Sequence, residues 1–150
     1  MPSDTNWGRL KDLALHRREA CARRLADTIA RCTEAQRKLG LLVDYRREYL
    51  ARMDAASRAG IHGDGLRNYR TFLANLERAI EQQTDAMTGM QRELHAAQRA
   101  YADEQRSVDS FDVLQTRADA AGATRERREQ QKQQDEFATR PLPRFLTGAD

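Results

Sequence analysis

The sequence predicts an all-α protein, a long antiparallel two-helix coiled-coil hairpin whose second helix is longer than its first. Three observations carry this prediction. Apolar side chains return at every seventh residue along most of the 150-residue chain, and helix is the only regular structure that uses this period. Gly60-Ile61-His62-Gly63-Asp64-Gly65 then places three glycines in six residues. Without a Cβ they tolerate positive φ, which makes a poor helix and a good turn. Third, the chain is 39% hydrophobic, 6% aromatic and 33% charged, with a mean hydropathy of −0.87. That is too little apolar material for a thick globular core, but it suits long helices sharing one narrow seam. Disorder would share this composition, and the periodicity argues against it.

The first helix is predicted from about residue 6 to 57. Ser3-Asp4-Thr5 offers polar capping side chains just ahead of Trp7 and Leu10. Ala14, Cys21, Thr28, Ala35, Leu42 and Tyr49 then share one seam position, and Leu25, Cys32, Leu39 and Met53 share the other, with Arg18 and Arg46 interrupting. Leu15, Ala22, Ile29, Val43 and Leu50 widen the stripe on one flank. Gly40 weakens the helix locally by roughly 1 kcal/mol relative to Ala. At 1.5 Å per residue the helix would run for about 78 Å.

After a turn at about 58–65, the second helix is predicted over about 66–137. Leu66, Leu73, Ile80, Met87, Leu94, Tyr101 and Val108 recur in strict register. Tyr69, Leu76, Met90, Ala97, Phe111 and Ala118 hold the partner position, interrupted by Gln83 and Glu104. From Arg117 to Phe137 the helix would overhang the start of the first, Gln-rich, charged and marginal on its own. Pro141 and Pro143 end any helix, so a single hairpin over 1–140 and a flexible tail over 141–150 follow. Pairing about residue 62 would set Tyr45 beside Ala79, Tyr49 beside Asn75 and Leu42 beside Gln82. Tyr45, Phe72 and Ala79 then lie one position off the seam, where a two-helix hairpin leaves rings exposed; the pattern fits equally a docking patch and aromatics that only fill the seam near the turn.

The charge pattern narrows the function classes. Net charge is +3, and Lys and Arg alternate with Asp and Glu, as on a solvated helix face rather than a nucleic-acid groove. The N-terminus lacks a signal-peptide profile and no apolar run is long enough to span a bilayer, so a soluble cytoplasmic protein without membrane insertion is predicted. Cys21 and Cys32 would stand about 16 Å apart on one helix, too far for a disulfide. His16, His62 and His95 are scattered, and no Cys/His spacing fits zinc. Gly60-x-x-Gly63-x-Gly65 lacks the Gly-Lys-Ser/Thr ending and preceding strand of a phosphate loop. No nucleophile motif or converging carboxylates appear, and a hairpin encloses no pocket. The prediction is a non-enzymatic protein with no cofactor and no metal.

Several stretches resemble a known family. These are Leu10-Lys11-Asp12-Leu13-Ala14, Asp44-Tyr45-x-x-Glu48-Tyr49, Ala59-Gly60-Ile61, Asn68-Tyr69-x-x-Phe72, Leu76-Glu77-x-Ala79-Ile80-x-Gln82 and Gln131-Lys132-x-x-Asp135-Glu136-Phe137-Ala138-x-Arg140. In order and spacing they are similar to the FliJ family of the bacterial flagellar type III protein export apparatus. The resemblance implies a stalk-like antiparallel coiled coil. It would engage the ring of the hexameric flagellar export ATPase and bind the cytoplasmic domain of the export-gate membrane protein, helping couple energy to export. It would also meet the ATPase regulator and escort export chaperones, in the cytoplasm and peripherally at the inner membrane of the flagellar base, in the service of motility and chemotaxis.

The family's gate-binding surface maps onto Leu42, Tyr45, Tyr49, Phe72, Leu76 and Ala79. Lys38 and Gln83 stand where glutamine and histidine are usual, which changes the polar rim of that surface. For the ATPase ring, the open end of the hairpin is the expected contact, with Leu10, Lys11, Leu13, Phe111, Leu114, Lys132 and Phe137. Two other readings predict different behaviour. A stalk protein of a virulence-type III secretion injectisome shares the architecture and would differ in genomic neighbours. An Arg-rich nucleic-acid-binding coiled coil would lose affinity steeply with salt.

Overall fold

A computed structural model describes the backbone of residues 2–141 and the side chains of residues 6–141. It consists of two helices, α1 (Pro2–Arg58, 57 residues) and α2 (Asp64–Thr139, 76 residues), folded into a helical hairpin, with no strand among the described residues. α1 begins upstream of its expected start, so Ser3, Asp4 and Thr5 are inside the helix rather than capping it. Pro2 suits the first helical position, where a missing N–H leaves no bond unmade. α2 stops at Thr139, two residues before Pro141, whose ring disfavours helical backbone in the residue ahead of it. The tail expected over 141–150 lies, from 142 onward, outside the described residues.

The chain reverses over five residues, 59–63, fewer than expected. Gly60 has a φ of 92°, and two bonds close the end of α1: Gly60 N–H donates to the Ser57 carbonyl at 3.2 Å and Ile61 N–H to the Ala56 carbonyl at 3.0 Å. This pair is the Schellman arrangement, which needs a left-handed residue just past the helix and so favours glycine. Gly63, with a φ of 73°, opens α2, and its carbonyl accepts the first bond of the new helix from Arg67 N–H at 3.0 Å. Asp64 in the first turn places a carboxylate at the positive end of the helix dipole.

The chain divides into two compact units. One is His16–Gln105; the other is formed by the described residues up to Leu15 and from Arg106 onward. In the first, the buried residues are Thr28, Ala35, Ala56, Leu73, Leu76 and Ala97, with Ala97 only 1% exposed. Small side chains at the seam let the two backbones approach closely, and larger neighbours cover them from the sides. The Thr28 hydroxyl donates to the Arg24 carbonyl one turn back at 2.8 Å, so its burial leaves no polar atom unpaired.

Two of the polar residues that interrupt the heptads, Arg18 and Gln83, are satisfied across the hairpin. Arg18 donates to Gln105 Oε1 at 3.1 Å, and Gln83 Nε2 donates to the Ala35 carbonyl at 3.0 Å. Cys32 Sγ lies 3.7 Å from the Met90 carbonyl, and both Cys21 and Cys32 are free thiols, half-buried at the seam. Arg31 meets Glu93 at 3.2 Å. The Arg31–Glu93 and Arg18–Gln105 pairs are centred near residue 62, as the sequence predicts, and near the turn the Tyr49 ring packs against those of Tyr69 and Phe72.

In the other unit, Ala14 and Val108 are buried, and the Trp7 and Phe111 rings pack with centroids 6.3 Å apart. Lys11 Nζ pairs with Asp112 Oδ1 at 2.8 Å. Ala118 and Gly122 are half-buried, and every residue from 123 to 141 is exposed. The unpacked stretch of α2 therefore starts a few residues later than the expected Arg117.

Candidate functional site

The exposed apolar surface of the His16–Gln105 unit centres on four rings from both helices. On α1, Tyr45 and Tyr49 are four residues apart, one turn, and so rise from the same side of the helix. On α2, Tyr69 and Phe72 are three apart and do the same. Tyr49 is the hub, with its ring centroid 4.3 Å from that of Phe72 and 5.1 Å from that of Tyr69, in tilted arrangements. Tyr45 reaches Phe72 at 6.4 Å. The Tyr49–Tyr69 and Tyr45–Phe72 separations fall in the range of favourable aromatic pairs and Tyr49–Phe72 is slightly closer, so the rings support one another without enclosure. Tyr45 remains 54% exposed and Phe72 37%.

The six residues of the expected gate-binding surface are therefore not alike. Leu76 is buried and belongs to the core; Leu42, Tyr49 and Ala79 are half-buried; Tyr45 and Phe72 are open to solvent. Two residues join them that the expected gate-binding set did not include. Tyr69 stacks on Tyr49, and its place in the seam register one turn before Phe72 was a readable signal. Leu41 is 54% exposed and, with Lys38, Leu42, Tyr45 and Gln83, lines a shallow depression of about 290 Å³. It lies outside the seam register, so periodicity gave no sign of it.

Lys38 and Gln83 both border this depression. The Gln83 carboxamide is tied to the Ala35 carbonyl, which makes it a seam residue as much as a rim residue. Arg37, next to Lys38 in the chain, forms a bidentate pair with Glu34, with bonds of 2.7 and 3.0 Å. The hydrogen bond from Arg37 holds the Glu34 carboxyl below its usual range, against a smaller desolvation effect that pushes it up. The same bond holds the Arg37 guanidinium above its usual value.

The second set of expected contacts is split. Leu10 and Leu13 are 39% and 47% exposed, Lys11 is engaged with Asp112, and Phe111 and Leu114 are half-buried. Lys132 and Phe137 instead stand on the exposed final turns of α2, where Phe137 is 77% exposed beside Gln130, Gln133 and Gln134 of its own helix. Among the described residues no group of three or more His, Cys, Asp and Glu side chains could hold a metal ion, and no helix is long and apolar enough to cross a membrane.

Comparison with known proteins gives this arrangement a context. The family model for the flagellar FliJ protein matches residues 8–144. A flagellar FliJ protein of Salmonella typhi is 33% identical over 135 residues, covering 90% of this chain and 92% of the relative. One from Escherichia coli K12 is 32% identical over the same length and with the same coverage. A match that spans both helices, the glycine turn and the aromatic cluster is a match of the whole architecture, and the chain belongs to the FliJ family of flagellar proteins.

Proposed function

We propose that this chain is a non-enzymatic, stalk-like component of the flagellar type III protein export apparatus. Family membership supports the export role, and the flagellar identity of the relatives favours it over an injectisome stalk. In this reading the aromatic surface around Tyr45 and Phe72 binds the cytoplasmic domain of the export-gate membrane protein. The Leu10–Leu13 segment, Phe111, Leu114 and the exposed end of α2 meet the hexameric export ATPase. The ATPase regulator and export chaperones are further partners, and the site of action is the cytoplasmic face of the inner membrane.

The observation that carries the gate contact is the exposure of Tyr45 and Phe72 on an otherwise polar chain. Exposed aromatics clustered with aliphatic neighbours are the residues that dominate protein interfaces. A full-length Tyr45→Ala, Phe72→Ala variant should lose binding to the gate domain while keeping its helical circular dichroism. Loss of helicity instead would make the rings structural. For the other end, the cognate ATPase should hydrolyse ATP faster with the protein present, in a complex of one copy per hexamer by light scattering. An unchanged rate and no complex would remove the ATPase from the proposal.

A further inference from the structure

The side of the hairpin that faces away from the aromatic surface has no role in the contacts above. Arg31 pairs with Glu93 and Tyr45 meets Phe72, so these four residues mark the aromatic side of the His16–Gln105 unit. The residues across each seam from them therefore share the opposite side. These are Ile29, Val43 and Leu50 on α1, and Thr84, Gln91 and Gln98 on α2. Ile29 is 48% exposed there, and Val43 and Leu50 are also open to solvent.

Each helix carries a second seam on this side. On α1, alternating steps of four and three residues from Ala22 lead through Ile29 and Gln36 to Val43 without meeting a charge. On α2, the same steps from Thr84 lead through Gln91 and Gln98 to Ala102, again with no Asp, Glu, Lys or Arg. The Arg31–Glu93 and Arg18–Gln105 pairs bring the two runs to the same level of the hairpin. The chain is 33% charged, so two facing runs without charge form a patterned surface. A two-helix contact uses only a narrow stripe of each helix; the wider stripe seen here suits a helix that packs on more than one neighbour.

Charge selects the occupant. Arg92 and Arg99, seven residues apart, edge the run on α2, and with His95, Gln98 and Ala102 they line an open hollow of about 570 Å³. Arg23 edges the run on α1. None of these three arginines has an ion-pair partner among the described residues. Acidic side chains bound the face only at its ends, Glu19 at one and Glu81 and Asp85 at the other. A second copy seated here would bring its own arginines against these, and like charges set against each other suppress an interface.

We propose that this face receives an acidic amphipathic helix of a partner protein as a third strand. Its apolar stripe lies on Ile29 and Val43, and Asp or Glu repeats at seven-residue spacing beside Arg92 and Arg99. The uncharged run on α1 is about 32 Å long, which sets the length of the incoming helix at about 21 residues. Exposed ion pairs add little affinity, so the apolar contact supplies the binding and the arginines select the partner. The inference rests on neither the gate contact nor the ATPase contact, and the aromatic surface stays free when this face is filled.

The test titrates the full chain into a labelled, helix-stapled peptide of about 21 residues with a Leu/Ile stripe flanked by Glu, followed by fluorescence anisotropy. Two further peptides carry Lys in place of Glu, or the same residues in scrambled order. The wild-type chain should bind the Glu peptide at least about tenfold more tightly than either. The double variant Ile29→Gln, Val43→Gln should weaken that binding about tenfold, and Tyr45→Ala, on the other side, should leave it unchanged. Arg92→Glu with Arg99→Glu should invert the preference toward the Lys peptide, a gain that misfolding does not produce. No binding of the Glu peptide, equal binding of the scrambled one, or an uninverted preference would overturn the inference. So would a loss caused by Tyr45→Ala, which would move the peptide to the aromatic side. A dimer of the free chain in light scattering that Ile29→Gln, Val43→Gln dissolves would overturn it as well, since the face would then belong to a second copy.

Discussion

Two helix-interior glycines of the His16–Gln105 unit offer a quantitative test of how its helices are held. Gly40 and Gly89 are exposed, and a Cβ built on either would meet nothing within 4 Å. Neither has positive φ, so nothing in the backbone calls for glycine. Each replacement by alanine should then add the full difference in helix propensity, about 1 kcal/mol. The two sites share no neighbour, so the double variant Gly40→Ala, Gly89→Ala should gain about 2 kcal/mol. With a urea m-value of about 1–3 kcal/mol/M, the midpoint followed at the helical circular dichroism band should rise by about 1 M. An unchanged or lower midpoint at constant m would refute the reasoning. It would mean that one of these positions is closely approached or bent in the folded protein, where the structure shows open space.

Other substitutions should act in the opposite sense. Gly60→Ala forces a side chain into a left-handed conformation at φ 92° and should cost about 1–2 kcal/mol in the same urea assay. Ala97→Leu puts a large side chain at a position only 1% exposed and should destabilise by about 1–3 kcal/mol through overpacking, visible as a lower thermal midpoint. Arg37→Gln should return the Glu34 carboxyl to the usual titration range in an NMR pH series. Because the Glu34 pKa is depressed in the folded chain, the stabilisation from this pair is present above the ordinary carboxylate pKa and is lost as pH falls through the lowered one. Arg37→Gln should therefore flatten the acid side of the stability profile.

The hairpin was legible because its signals are periodic. Leu66 through Val108 in unbroken heptads predicts a helix whatever lies beside it, and Gly60 and Gly63 mark the turn because both adopt positive φ there. Register was legible from the turn, since Arg31–Glu93 and Arg18–Gln105 are centred near residue 62. Which rings meet was not, because the Tyr49 contacts with Tyr69 and Phe72 depend on side-chain direction as well as on pairing. In the candidate site, Tyr45 and Phe72 were readable as aromatics one step off the seam. Leu41 was not, because its significance comes from Tyr45 and Gln83 arriving beside it in space. Leu76 shows the reverse case: within the expected docking set, it is a core residue.

Four of the buried apolar residues, Ala14, Ala35, Ala56 and Ala97, are alanines, which shed little apolar surface on unfolding compared with leucine or phenylalanine. Exposure of apolar area is the positive contribution to the heat-capacity increment of unfolding, and backbone exposed from long helices contributes with the opposite sign. A seam built this way should unfold with a heat-capacity change per residue below the usual range of about 12–15 cal/mol/K. Its free energy of unfolding then varies gently with temperature, and the driving force for folding persists on cooling instead of fading. A member of a flagellar protein family built this way should keep its fold on cooling as well as it does at moderate temperature.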